Sequence, residues 1–162
     1  MPTESNISRR GFLSTGAVAA GAAALSAKSY ARTIGAGDRL RVGVIGCGGM
    51  GGSHLGTLIA ISDEDNLDVV MTCDVNPERA NAFRDRVSES GGTAVATTRY
   101  EEVLSNPDVD CVVIAVPEHG HHYLAMAALD ARNHFYCEKP MCYDIREAKE
   151  VVKKAADSGL KL

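Results

Sequence analysis

The sequence predicts a doubly wound parallel α/β sheet, and three observations predict it. Short apolar runs end at residues 45, 73, 116 and 137, too brief for helices and followed by glycine, proline or an acidic residue. Between them lie segments whose apolar residues recur at helical spacing, with start and stop signals at their ends. The connections are short. Strands alternating with helices in this way pair in parallel and are covered on both faces.

The first strand and helix carry the strongest signal. Residues 42–45 feed into Gly46-Cys47-Gly48-Gly49-Met50-Gly51, which fits G-x-G-x-x-G, and Leu55, Leu58 and Ile59 follow at helical spacing. In such a turn Gly46 permits the reversal, Gly48 lets a pyrophosphate approach the backbone, and Gly51 permits close helix–strand packing. Gly49 and Met50 open the helix, whose N-terminus offers N–H groups and a positive dipole end to phosphate. A second apolar strand, residues 69–73, ends in Asp74, 23 residues after Gly51. A carboxylate there accepts the ribose hydroxyls of an adenosine and repels a 2′-phosphate, so NAD is expected ahead of NADP. Arg79 stands a full turn into the next helix, a poor position for a phosphate ligand.

The remaining elements follow in order. Asn76 reads as an N-cap, Pro77 as the first helical residue and Glu78 as a first-turn acid. Ala80, Phe83 and Val87 form that helix's apolar face, and Gly91-Gly92 stop it. A weak strand at 94–97 and a short helix at 101–105 precede Asn106-Pro107. Residues 109–116 are apolar but for Asp110, as a strand covered on both faces is over most of its length, and end at Pro117. The next helix, 119–131, has the stripe Leu124, Ala127, Ala128 and Ala131. A strand at 134–137 ends in Glu138-Lys139-Pro140. In the last helix Asp144 and Glu147 form a D-x-x-E capping box, with Ile145, Ala148, Val152 and Ala155 as the expected buried face. Gly159 stops it, and Arg146–Glu150 and Glu150–Lys154 are expected as exposed i,i+4 pairs. Residues 160–162 read as the start of another strand.

At 162 residues the chain is one domain's worth, and its net charge of −4 gives no reason to expect nucleic acid as a partner. The five cysteines are odd in number and contain no C-x-x-C pair. They read as small buried hydrophobes, not as a zinc or disulfide framework. His119 and His122 are spaced i,i+3, but no carboxylate pair or third ligand group accompanies them, so no metal is expected. His54 reads as a polar residue of the first helix.

Residues 1–37 read as a leader and linker ahead of a domain at 38–162. Ser8-Arg9-Arg10-Gly11-Phe12-Leu13 precedes a mild apolar stretch at 17–25, then Lys28 and the small residues of a cleavage site. This resembles a bacterial twin-arginine signal, with Ser14 where that pattern usually has lysine. The stretch is too short and too rich in alanine and glycine for a membrane anchor, which needs about 20 strongly apolar residues. The resemblance implies recognition by the twin-arginine export machinery, passage in the folded state with any dinucleotide already bound, and a periplasmic destination.

Three groups fall at the ends of successive strands, where ligands bind in such sheets: Asp74, Pro117-Glu118-His119-Gly120-His121, and Glu138-Lys139-Pro140. Together with the glycine turn they resemble the N-terminal, Rossmann-type domain of the glucose–fructose oxidoreductase / inositol dehydrogenase (Gfo/Idh/MocA) family. The resemblance runs from residue 39 to 162. It implies oxidation of a sugar or cyclitol hydroxyl by NAD, with Lys139 as the catalytic residue that orients the hydroxyl and stabilises developing alkoxide charge. It also implies that Pro117, His121 and Glu138 lie near the nicotinamide ribose. Val116 departs from the family's usual threonine. Ala131-Arg132-Asn133-His134 departs from A-G-K-H, which leaves Asn133 as the residue suited to a left-handed helix stop. The family's second, substrate-binding domain is not contained in this stretch. Two other readings stay open: an NAD-dependent glycosidase of the same family, and a non-catalytic dinucleotide-binding module. Full-length members of the family can be homo-oligomers.

Overall fold

The computed structural model describes residues 39–162, so the twin-arginine reading lies outside the described residues. Five strands form one parallel sheet: β1 (Leu40–Ile45), β2 (Leu67–Cys73), β3 (Val95–Thr97), β4 (Cys111–Ile114) and β5 (His134–Cys137). Their order across the sheet is β3-β2-β1-β4-β5. The helices are α1 (Gly49–Ile61), α2 (Pro77–Glu89), α3 (Tyr100–Ser105), α4 (His121–Asp130) and α5 (Ile145–Ser158).

The chain buries one apolar layer on each face of the sheet. Val44 of β1 joins Leu55 of α1 and Phe83 and Val87 of α2 in one layer. Its neighbour Ile45 points the other way, into a layer with Val103 of α3, Leu124 and Ala128 of α4, and Val151 of α5. Successive strand side chains alternate between faces, so a central strand must be apolar at both. Val42, Val44, Val112 and Ile114 accordingly lie almost wholly buried.

Helix α2 forms as its signals require. Asn76 Oδ1 accepts the Glu78 N–H at 2.9 Å, Pro77 opens the helix, and Ala80, Phe83 and Val87 are its buried residues. Helices α4 and α5 are rotated from expectation. The buried face of α4 is His121, Leu124, Ala125, Ala128 and Leu129, while Ala131 is exposed beyond the helix end. On α5, Val151 is 1% exposed, whereas Ile145 and Val152 are 75% and 67% exposed. The apolar residues of α5 span more than one face, and its packing against α4 selects the stripe centred on Val151. The same contact redirects its charges. Lys154 bridges to Asp130 of α4, and Glu150 lies 3.0 Å from His122, in place of the i,i+4 pairs. The capping box is half formed: Asp144 Oδ1 accepts the Glu147 N–H at 2.9 Å, but Glu147 accepts the Tyr143 N–H at 2.8 Å, one residue before the cap.

Two details complete the β5 edge. The left-handed residue before β5 is Arg132, with φ 60°, and not Asn133. Asn133 is buried instead, donating from Nδ2 to the Leu104 carbonyl at 2.8 Å. Beyond β5, the Phe135 N–H donates to the Lys161 carbonyl at 3.1 Å, so residues 160–162 run along the β5 edge as the start of a strand would.

Candidate functional site

In this strand order the chain leaves β1 toward β2 on one side and returns to β4 on the other. A crevice opens where the direction reverses, outside the C-terminal strand ends, and such crevices hold ligands in open parallel sheets. The residues that end the strands here are Gly46 after β1, Asp74 after β2, Pro117 after β4, and Glu138 with Lys139 after β5.

The glycines of the turn divide into two pairs. Gly46 has φ +99°, and a Cβ there would lie 2.5 Å from the Ala115 carbonyl oxygen. A Cβ on Gly51 would lie 2.0 Å from the Gly46 carbonyl oxygen, so the helix can start only where a glycine lets it touch the turn. Gly48 and Gly49 instead face open space, with nothing within 4 Å of an added Cβ. Gly48 occupies the N-cap position and supplies no side-chain bond to the first turn, and Met50 beside it is half exposed. The first-turn N–H groups therefore face a gap that side chains have vacated, which fits a pyrophosphate.

Asp74 ties this turn to β2. Its Oδ2 accepts the Cys47 N–H at 2.8 Å and its Oδ1 accepts the Asn76 N–H at 2.9 Å. A carboxylate has about four lone-pair sites, so each oxygen retains capacity for a ribose hydroxyl. The Cys47 thiol donates to the Cys73 carbonyl, and burial, with the Asp74 charge second, pushes it up to about 12. It is a neutral packing group.

The β4–β5 side is built from buried polar groups. His121, 1% exposed, opens α4, and its Nδ1 donates to the Pro140 carbonyl at 2.7 Å, while Nε2 has no partner among the described residues. The Lys139–Pro140 peptide is cis. Glu138, 7% exposed, accepts the Lys139 N–H at 2.9 Å and lies 2.8 Å from His54 Nε2 and 3.3 Å from the Tyr136 hydroxyl. The Lys139 amide first, and His54 second, hold its carboxyl below the usual glutamate range. Lys139 itself is exposed at the strand end, and Pro117 begins a one-turn 3₁₀ segment, Glu118–Gly120, leading into α4.

With this geometry in place, residues 40–162 match the NAD-binding Rossmann-fold model of the Gfo/Idh/MocA oxidoreductase family. The chain belongs to this family. Among Gfo/Idh/MocA relatives, the inositol 2-dehydrogenase/D-chiro-inositol 3-dehydrogenase of Lactiplantibacillus plantarum is 30% identical over 122 residues, covering 75% of this chain and 33% of that protein. Levoglucosan dehydrogenase, solved with NADH and levoglucosan, superposes with a TM-score of 0.68 at 29% identity, covering 76% of this chain and 34% of that one. The 3-ketoreductase KijD10 of Actinomadura kijaniata, solved with NADP, gives 0.65 at 31% identity, covering 76% and 36%. The chain thus spans about a third of the length of these relatives.

Within the Gfo/Idh/MocA domain, the site residues expected from the sequence follow the C-terminal strand ends: Gly46 and Gly51 pack the turn, Asp74 clamps it, and the others divide into two groups. Gly48, Gly49, Met50, Pro117 and Lys139 are partly or fully exposed. His121 and Glu138 are interior supports whose bonds run to the protein itself. His54 and Tyr136 were not legible as site residues. His54 lies 84 positions from Glu138, and only its place three residues after Gly51, on the cradle helix, hinted at the site. Among the described residues there is no cluster of three potential metal ligands, and no helix is long and apolar enough to cross a membrane.

Proposed function

We propose that this chain is the dinucleotide-binding part of an exported oxidoreductase that moves a hydride between the hydroxyl-bearing carbon of a sugar or cyclitol and NAD. The observation that carries this reading is the open cradle at Gly48 and Gly49, on the same sheet edge as Asp74 and Lys139. The α1 N–H groups would hold the pyrophosphate and Asp74 the adenosine ribose. Bound there, NAD supplies the hydride acceptor. Lys139 would hold the substrate hydroxyl and stabilise the negative charge that develops on its oxygen as a base takes the hydroxyl proton. His121 and Glu138 would fix the loop from which Lys139 projects. Asp74 supports NAD over NADP, although a family neighbour was solved with NADP. The relatives that oxidise inositol or levoglucosan support the substrate class.

Titrating the chain with NAD and NADP by calorimetry tests the cofactor reading, with NAD expected to bind at least about tenfold tighter, a difference near 1.4 kcal/mol. In the full-length protein, a panel of sugars and cyclitols should give substrate-dependent NADH absorbance. Release of an aglycone without net NADH would replace the dehydrogenase with a glycosidase. Export rests on Arg9-Arg10. Replacing both with lysine should leave the protein in the cytoplasm, and unchanged periplasmic yield would remove that part of the proposal.

A further inference from the structure

We propose that His54 is a positioning residue that couples the phosphate-binding helix α1 to the strand end carrying Lys139, acting through the Glu138 carboxylate. The inference rests on the function proposed above and deepens it, because it says how an occupied cradle reaches the reacting end of the site. Three bonds define the link. Glu138 Oε1 accepts from His54 Nε2 at 2.8 Å and from the Tyr136 hydroxyl at 3.3 Å, and Oε2 accepts the Lys139 N–H at 2.9 Å. An ionised carboxylate only accepts, so the His54 proton on this side sits on Nε2. The His54 ring also meets the Tyr136 ring edge-on, centroids 5.2 Å apart at 64°, which fixes its orientation.

The two ends of this link are the two working ends of the site. His54 stands on α1 one turn after Gly49–Gly51, whose N–H groups line the open cradle. Glu138 immediately precedes Lys139, and its second oxygen holds that residue's own peptide group. A small movement of α1 as it closes on phosphate is therefore passed through one buried carboxylate to the Lys139 backbone. Hydrogen bonds to a charged acceptor are about twice as strong as neutral ones, so the link is stiff compared with its surroundings. Misplacing a reacting group by about 1 Å can cost 10²-fold in rate, so such a link has a measurable consequence. An anchor that merely fastened α1 to β5 would look the same in one structure, but it would be indifferent to ligand.

Amide resonances of the ¹⁵N-labelled chain separate these cases. On NAD titration the Lys139 amide should shift along the same binding curve as the Gly49 amide. His54→Phe keeps a ring against Tyr136 but has no donor. It should leave the NAD Kd within about threefold and keep the Gly49 shift, while the Lys139 response falls to less than about a third. His54→Gln restores a donor and should recover most of that response. In the full-length enzyme, His54→Phe should lower kcat by about 10- to 100-fold with KM for NAD little changed, and His54→Gln should rescue it. Should His54→Phe fail to fold, Tyr136→Phe removes one bond to the same oxygen and should give a smaller loss of the same kind. A Lys139 response that survives loss of the His54 donor, or kcat unaffected by it, overturns the coupling while leaving NAD binding intact. Failure of the wild-type chain to bind NAD overturns the proposed function itself.

Discussion

The two sides of the crevice solve the same problem in opposite ways. On the β1–β2 side the chain removes side chains: glycine occupies the turn, Gly48 and Gly49 face open space, and the first-turn N–H groups are left for a ligand. On the β4–β5 side it adds buried polar side chains and bonds them to the protein, His121 through Nδ1 to the Pro140 carbonyl and Glu138 to Lys139, His54 and Tyr136. One side is a cradle of exposed backbone. The other is a bracket that holds one exposed lysine. The difference teaches that backbone donors are left open by removing side chains, whereas the backbone of an exposed lysine is fixed by adding buried ones.

The largest effect should come from the group the bracket holds. In the full-length enzyme, Lys139→Ala should lower kcat/KM by about 10²–10⁴, the range for a positioned proton-transfer or charge-stabilising group, with NAD affinity and Tm nearly unchanged. Lys139→Arg should recover little, because a planar fork does not replace a compact ammonium. Loss of stability with normal turnover per folded molecule would make Lys139 part of the bracket and erase the distinction between support and reactive group.

The glycines should break the cradle in two separable ways. Gly51→Ala places a methyl against the Gly46 carbonyl oxygen, a backbone atom that cannot swing aside, and should destabilise by about 3 kcal/mol or more. Gly48→Ala meets no protein atom, so its Tm should stay within the scatter of ordinary surface changes. Its methyl nevertheless enters the space a pyrophosphate would fill, and NAD affinity should fall by about tenfold or more, at least 1.4 kcal/mol. Thermal melts with NAD titrations decide it. Equal losses of stability in both variants would show that the open space is not a ligand's space.

Asp74 sharpens the comparison because it belongs to both designs. It faces the cradle, yet it also clamps Cys47 and Asn76. Asp74→Asn keeps one acceptor and turns an amide donor toward one of those N–H groups. NAD affinity should fall by about 1.5–3 kcal/mol, the range for hydrogen bonds to a charged group. NADP affinity should also fall, by less, because the clamp serves either cofactor. Equal losses for NAD and NADP would show that Asp74 acts only through the clamp and not on the ribose.

The same contrast explains how much could be read in advance. The cradle is local: strand, glycines, helix and a carboxylate 23 residues on follow from steric rules that each residue carries with it. The parallel sheet and the signals of α2 followed from equally local patterns. The bracket is not local. Nothing around His54 names Glu138 as its partner, and nothing around His121 reveals that its ring will be enclosed and spent on Pro140. Helix α5 shows the limit in another form. Its apolar residues, Ile145, Ala148, Val151, Val152 and Ala155, permit two neighbouring buried faces, and only the position of α4 selects between them.

The smallest effect lies at the entrance to β5, where the backbone takes a left-handed turn without glycine. Gly46 reaches φ +99° with glycine, and its surroundings allow nothing else. Arg132 reaches φ 60° with an arginine, its guanidinium only 3.4 Å from the Ser158 carbonyl and exposed to water. A non-glycine residue in this region costs about 1–2 kcal/mol, and the long hydrogen bond offsets little of it. Arg132→Gly removes that cost but adds about 0.5–1 kcal/mol of unfolded-state freedom. The balance is a gain of about 0.5–1 kcal/mol, or a rise in Tm of about 2–4 °C for a domain of this size. NAD affinity should not change, since Arg132 lies at the opposite end of β5 from Lys139. Calorimetric melts of the two proteins measure it. A fall in Tm would mean that Arg132 does more than occupy a strained turn, and that this edge, like the bracket, depends on a side chain whose partner the local sequence does not name.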